Sequence, residues 1–265
     1  MLPTFLGFGV QRAASTWLHN CLSEHPDVFV AEKKEIHFFN VHYENGIGWY
    51  ERHFDSQTGE TAVGEITPSY LHVAPIARVR DCLPDVRLII ILRDPVDRAF
   101  SAYRLLNRQF DGMTFEEACN SSRGAYLTNL SLYAERLREV YDLYPRQQVG
   151  VFLYDEVSSE PDRVLAEIFR FIGVDCTFRP ASLQTRPNRI ILPNLTRFIE
   201  RAGMGWSLSL VKASPAGDII REWSRRKGQT KVEDHKFRNE LRARFADDID
   251  ALEKLLQRDL SIWRR

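Results

Sequence analysis

The chain has 265 residues, 44% hydrophobic and 27% charged, enough for a substantial core in one large domain or a domain with a small cap. Lys and Arg total 36 against 36 Asp and Glu, so no overall field points to nucleic acid or an acidic membrane, and any basic site has to be local. No apolar run approaches the roughly 18 residues of a membrane span, no basic leader precedes the first strand, and the four scattered cysteines form no C-x-x-C pair, so a cytoplasmic protein with reduced thiols is expected.

Residues 5–10 are a short apolar run of the kind that sits mid-sheet, and residues 15–22 carry apolar side chains at helical spacing. Between them, Gln11, Arg12, Ala13 and Ala14 make a tight turn with little bulk and one fixed positive charge. The Ser15 and Thr16 hydroxyls, with Trp17 next, fall where a helix begins. Its free N–H groups and dipole suit an anion there. The loop is no Walker A, because it lacks the lysine and the second glycine; the plain alternative is an ordinary strand–helix turn.

Further strands are predicted at 28–30, 61–65, 87–92 and 148–153. Helices are predicted at 46–54, at 75–82, and from Pro95 to about Arg108. The others span 114–120 (opened by a Thr114/Glu117 capping box), 131–144, 160–172 (closed by Gly173) and 235–257. Strands alternating with helices imply a mostly parallel α/β sheet of five strands over residues 1–174, with a C-terminal helical part over 175–265 of the same domain. Residues 194–230 read as a helical cap or a homodimer surface.

The run 87–92, RLIIIL, is nearly continuous in apolar residues, with three β-branched isoleucines at its centre, and reads as buried on both faces. It ends in Arg93-Asp94-Pro95, where Asp94 can cap a helix and Arg93 sits at the strand end at which open sheets place ligands. Ser101, seven residues after Asp94, faces the same side, so Arg93 and Ser101 make a second candidate phosphate site. The alternatives are that Arg93 caps a carbonyl, or that Asp94 binds Mg²⁺ as in a Walker B strand. In the segment 34–39, KEIHFF, an extended backbone would put Glu35 and His37 on one face and Lys34 on the other, pairing a carboxylate with an imidazole as a general base. The alternative is an ion-paired Glu35 and a packing His37. No histidine spacing suggests a metal.

Together GVQRAASTWL and LIIILRDPVDRAFSAYR resemble the two phosphosulfate-binding signatures of the sulfotransferases. KEIHFF, LYAERL (132–137) and the closing FADDIDALEKLLQRDLSIW are similar to the heparan-sulfate-type and related bacterial branch. The resemblance runs over nearly the whole chain and is weakest over 175–230. It implies a P-loop-like fold and 3′-phosphoadenosine 5′-phosphosulfate (PAPS) as co-substrate, without a metal. The 5′-phosphosulfate would lie on Gln11–Thr16 and the 3′-phosphate on Arg93 and Ser101. Glu35 would be the base, His37 would orient it or bind substrate, and Tyr133 would lie near the nucleotide. Arg12 replaces the family's lysine and Ile66 another cation, in GEITPSY. Arginine keeps the charge but cannot give up a proton. The expected activity is in-line sulfuryl transfer to a hydroxyl or amine of a carbohydrate or small molecule. A P-loop small-molecule kinase and a catalytically silent nucleotide-binding module are the alternatives. The aromatics Phe38, Phe39, Trp49, Tyr50 and Tyr70 read as core or as an acceptor platform, and Arg179, Arg186 and Arg189 as a local basic strip.

Overall fold

The computed structural model describes residues 1–184 and 215–264. Its centre is a five-stranded sheet of β1 (Phe5–Gly9), β2 (Val28–Val30), β3 (Ala62–Ile66), β4 (Arg87–Leu92) and β5 (Val149–Leu153). The strand order is β2-β3-β1-β4-β5, and every neighbouring pair is parallel. Parallel sheets are covered on both faces, and Leu88, Ile89, Ile90, Ile91 and Leu92 of β4 are accordingly all buried. Gly7 is required by packing: a Cβ there would lie 2.4 Å from Cδ1 of Ile66 on the adjacent strand.

The helices are α1 (Ser15–Ser23), α2 (Ile47–Glu51), α3 (Tyr70–Val73), α4 (Ile76–Cys82), α5 (Pro95–Leu106), α6 (Phe115–Asn120), α7 (Ala125–Asn129), α8 (Ala134–Leu143), α9 (Tyr154–Ser159), α10 (Pro161–Ile172) and α11 (Pro215–Leu256). The Thr114/Glu117 capping box opens α6 as expected. Helix α10 begins with Pro161 and ends at Gly173, whose φ of 86° places it in the left-handed region. The N–H groups of Gly173 and Val174 both return to the Phe169 carbonyl. Its face of Val164, Leu165, Ile168, Phe169 and Ile172 is buried, at about 1.5–3 kcal/mol per large side chain.

Several boundaries differ from the sequence expectation, the largest being that of α11, which begins at Pro215 rather than at 235. The helix after β4 stops at Leu106 and tightens into a 3₁₀ turn at Asn107–Phe110. Helix α8 starts three residues late, because Tyr133 is its N-cap and the Asp248 carboxylate accepts from the N–H groups of Tyr133 (2.8 Å) and Ala134 (3.0 Å). The short helices α3, α7 and α9 carry no periodicity long enough to read from sequence.

Helix α11 buries the expected stripe of Phe237, Leu241, Phe245, Ile249 and Leu252, while Leu256 is half-buried. It packs on α5, α6 and α8. After it, Trp263 is buried and its Nε1 donates to Asp155 at 2.9 Å. Arg186, Arg189 and most of the expected cap lie outside the described residues. Arg179 is tied locally, to Asp162 at 3.1 Å and to the carbonyls of Cys176 and Phe178.

Connections from β1 run to one side of the sheet, toward β2 and β3, whereas β4 and β5 lie on the other. The topological switch is therefore between β1 and β4. Loops from the carboxyl ends of two neighbouring strands diverge there and leave a crevice.

Candidate active site

Two loops meet at that crevice. The first, residues 10–14, leaves β1 with Arg12 and Ala14 in left-handed conformation (φ 73° and 62°). The two left-handed residues turn the chain sharply enough for α1 to start at Ser15. The first α1 N–H to close on the turn is that of Leu18, onto the Ala14 carbonyl. The N–H groups of Ser15, Thr16 and Trp17 are thus the ones a helix start leaves unsatisfied, and they face the crevice end.

The second loop leaves β4. Arg93 stacks on the Tyr154 ring at 4.4 Å, and its Nη1 donates to the Arg12 carbonyl at 2.9 Å. Its Nε is buried without a partner, an orphaned donor that an anion would satisfy. Tyr133, fully buried, donates its hydroxyl to the Arg93 carbonyl at 2.9 Å. Asp94 Oδ1 accepts from the Asp97 N–H at 2.8 Å and so caps α5, as expected of an N-cap. Burial pushes the Asp94 carboxyl up to about 6. From α5, Ser101 Oγ accepts a 3.1 Å hydrogen bond from Arg12 Nε. Arg98, one turn earlier, is buried and bonded to Ser131 and the Leu127 carbonyl, so it pins α5 to the segment after α7. The Arg12 guanidinium is held below its ordinary value by burial, then by Arg93 and Arg104. An anion bound beside it would offset the repulsion from Arg93 and Arg104.

The KEIHFF segment departs from the extended form expected of it. Glu35 and His37 have φ of 63° and 58°. These left-handed turns cancel the strand alternation that would have sent Lys34 to the opposite face. Instead Lys34 Nζ lies 3.6 Å from Glu35 Oε1 and donates to Thr16 Oγ1 at 3.0 Å, joining the segment to the start of α1. His37 Nε2 is 3.5 Å from Glu35 Oε2, and its Nδ1 is 3.4 Å from Ser69 Oγ. The turn is held from beneath. Glu35 N–H donates to the Ile66 carbonyl, and Phe38 N–H donates to Tyr70 Oη at 2.8 Å. The Tyr70 hydroxyl in turn donates to the buried Glu65, which also accepts from Tyr50 and Thr67. Among the described residues, six non-glycine positions have positive φ, and four of them (Arg12, Ala14, Glu35 and His37) are in these two segments. Backbone strain of that kind collects where geometry serves chemistry.

A cleft of about 190 Å³ is lined by the polar Gln11, Arg12, Ser15, Thr16, Lys34 and Glu35 and by Pro68, Ala102, Leu105, Leu106 and Tyr126. Two broader hollows of about 540 and 520 Å³ lie along α11 and hold none of these groups. Ala13, Ala14 and Trp17 are buried; the Trp17 indole donates to the Leu183 carbonyl, leaving only its backbone for the crevice. Phe38, Phe39, Tyr50 and Tyr70 are core, and Trp49 is half-buried against them. Tyr126, on the short α7, was not anticipated; its hydroxyl donates to Gln11 Oε1 at 3.1 Å across the mouth. Glu65 could have been noticed, as the one carboxylate in an otherwise apolar strand. Among the described residues no cluster of three or more His, Cys, Asp or Glu is placed to hold a metal ion.

A protein-family model described as a sulfotransferase domain matches residues 3–257. The chain is 40% identical over 106 residues to the membrane-associated sulfotransferase kil1 of Dictyostelium discoideum, an overlap of 38% of this chain and 22% of that one. It is 32% identical over 183 residues to the human heparan sulfate glucosamine 3-O-sulfotransferase 3B1, covering 65% and 46% of the two chains. The matched region is less than half of either relative. Among solved structures, a sulfotransferase from Alicyclobacillus acidocaldarius aligns with a TM-score of 0.73 and 29% identity over 100% of both chains. The sulfotransferase domain of the curacin biosynthetic pathway, at 12% identity and a TM-score of 0.50 over 69% of this chain and 77% of that one, shares the fold.

Proposed function

The chain belongs to the sulfotransferase domain family, and from that premise we propose that it moves a sulfuryl group from PAPS to a hydroxyl or amine of a carbohydrate or small-molecule acceptor, with Glu35 as general base. One observation carries the reading: the Glu35 carboxylate lines the same small cleft as Arg12, Ser15 and Thr16. A proton acceptor and an anion cradle thereby share one space, which neither a plain strand–helix turn nor a surface ion pair requires.

In this reading Arg12, the N–H groups opening α1 and the Thr16 hydroxyl hold the 5′ end of the nucleotide. Arg93, with its orphaned Nε, and Ser101 hold the 3′-phosphate. The loops align donor and acceptor, and Glu35 removes the acceptor proton as sulfur–oxygen bond formation proceeds. Trp17 and Tyr133 act from within the core, Tyr133 by fixing the Arg93 carbonyl. The acceptor enters past Pro68, Leu105, Leu106 and Tyr126; Leu105 is 61% exposed, so part of what it meets is apolar. Ile66, fully buried against Gly7, offers no cation to a charged acceptor. A carbohydrate hydroxyl is the acceptor suggested by the heparan sulfate glucosamine sulfotransferase among the relatives. A cytoplasmic location belongs to the same proposal and is supported by four free cysteines.

The test is transfer of labelled sulfate from PAPS, in EDTA, across a panel of sugars, amines and amphiphilic alcohols read by mass shift. Metal-independent transfer is expected. Mg²⁺-dependent phosphoryl transfer from ATP would replace the reading with a small-molecule kinase. Tight binding of 3′,5′-bisphosphoadenosine with no transfer to any acceptor would replace it with a silent nucleotide-binding module.

A further inference from the structure

The two functions that one lysine could serve at a phosphosulfate loop, holding charge and giving a proton, cannot both fall to Arg12. Its guanidinium stays protonated at any working pH, and its Nε is committed to Ser101 on the α5 side of the cleft. The same cleft is lined by a second cation with a different chemistry. Lys34 Nζ is 3.0 Å from Thr16 Oγ1, at the second residue of α1, and 3.6 Å from Glu35 Oε1. Arg12 and Lys34 both line the cleft, together with Ser15 and Thr16 at the start of α1.

We propose that Lys34 is a catalytic residue of this site, supplying to the leaving phosphate oxygen the proton that Arg12 cannot. The inference rests on the sulfotransferase reading above. As the acceptor oxygen bonds to sulfur, its O–H bond breaks and the proton passes to the Glu35 carboxylate. The sulfur–oxygen bond to the 5′-phosphate breaks, and its electron pair stays on the phosphate oxygen. Lys34, reaching that oxygen from the Thr16 hydroxyl, donates first a hydrogen bond and then its proton to it. The neutral amine recovers a proton from Glu35 across the 3.6 Å between them. The acceptor's proton ends on the phosphate, and both side chains return to their starting states. Glu35 and Lys34 are adjacent in sequence, and the left-handed Glu35 backbone is what turns both ends toward α1.

The experiment compares wild type, Lys34→Met and Lys34→Arg by two readouts. One is calorimetric affinity for 3′,5′-bisphosphoadenosine; the other is the single-turnover rate of label release from saturating PAPS, with the best acceptor of the panel or with water. Lys34→Met is expected to lose about 10²-fold in rate, the scale of one preorganised donor, with less than a tenfold loss in bisphosphate affinity. Lys34→Arg is expected to restore affinity fully but rate only in part, and to abolish the alkaline limb of the pH–rate profile. A Lys34→Met rate within threefold of wild type, or full rescue by arginine with the alkaline limb unchanged, overturns the assignment while leaving the sulfotransferase reading intact. A wild-type protein that binds no bisphosphate and releases no label overturns both. Circular dichroism of the variants, at a half-exposed position, excludes a folding defect as the cause.

Discussion

Arg12 Nε donates to Ser101 Oγ across 3.1 Å, so the loop leaving β1 and helix α5 share a hydrogen bond between residues 89 apart in sequence. In the function proposed above, this bond joins the side chains that hold the two phosphates. Arg93 adds a second tie by donating to the Arg12 carbonyl. Arg12→Ala is expected to lower turnover by about 10²–10³ with the fold intact. Ser101→Ala removes a brace and is expected to weaken bisphosphate binding by about tenfold. In a double-mutant cycle read by calorimetry, the two changes should couple by more than about 0.5 kcal/mol. Strict additivity would show that the subsites act independently.

Tyr70 bridges the core and the turn: its hydroxyl donates to Glu65 at 2.9 Å and accepts from the Phe38 N–H at 2.8 Å. Tyr70→Phe leaves a buried N–H and a buried carboxylate each short of a partner. The expected loss is about 1–3 kcal/mol in urea unfolding. Because Phe38 follows Glu35 and His37 in the same turn, kcat should fall while bisphosphate affinity is kept. A variant that is destabilised but retains kcat would make the network purely structural.

The sheet was legible because each strand is a short and mostly apolar run, and β4 in particular is apolar at every position from Leu88 to Leu92. The loop 11–16 was legible as a small-residue turn before a helix. What stayed hidden was backbone handedness. Nothing in KEIHFF announces positive φ at a glutamate and a histidine, since side-chain preference there favours glycine. The period-two rule consequently put Lys34 on the wrong side. The motifs place Tyr133 near the nucleotide and Trp17 directly after the phosphate loop, and both side chains are buried, bonded to carbonyls of neighbouring segments. Helix α7, at five residues, is too short for periodicity to reveal that Tyr126 closes on Gln11.

Asp94 should give stability a pH dependence. Its carboxyl is raised from 3.8 to about 6, first by burial. The folded state thus holds this proton more tightly than the unfolded chain does. The contribution is fully present below about pH 4 and is lost as pH rises through 6. Two pKa units correspond to about 3 kcal/mol as an upper bound. Asp94→Asn keeps an N-cap of equal quality for α5 and is expected to gain about 1–3 kcal/mol at pH 8 and little at pH 4. Equal gains at both pH values would show that the buried charge is not the source.

Glu35 is the residue on which the proposed chemistry turns, and its surroundings allow a sharp test. It is partly exposed, it lies 3.6 Å from Lys34 and 3.5 Å from His37, and its backbone is left-handed. Glu35→Gln keeps the side-chain shape and the backbone conformation, so neither cleft geometry nor strain should change. Only the capacity to accept a proton is lost. If Glu35 is the base, kcat for transfer from PAPS falls by about 10²–10⁴ while bisphosphate affinity stays within about threefold. Glu35→Asp, which retains the carboxylate but shortens its reach, should recover part of the rate. If Glu35 serves only to pair with Lys34, Gln would change kcat little, because an exposed pair contributes less than about 1 kcal/mol. That outcome would remove the base from the mechanism and leave the cleft as an anion site alone.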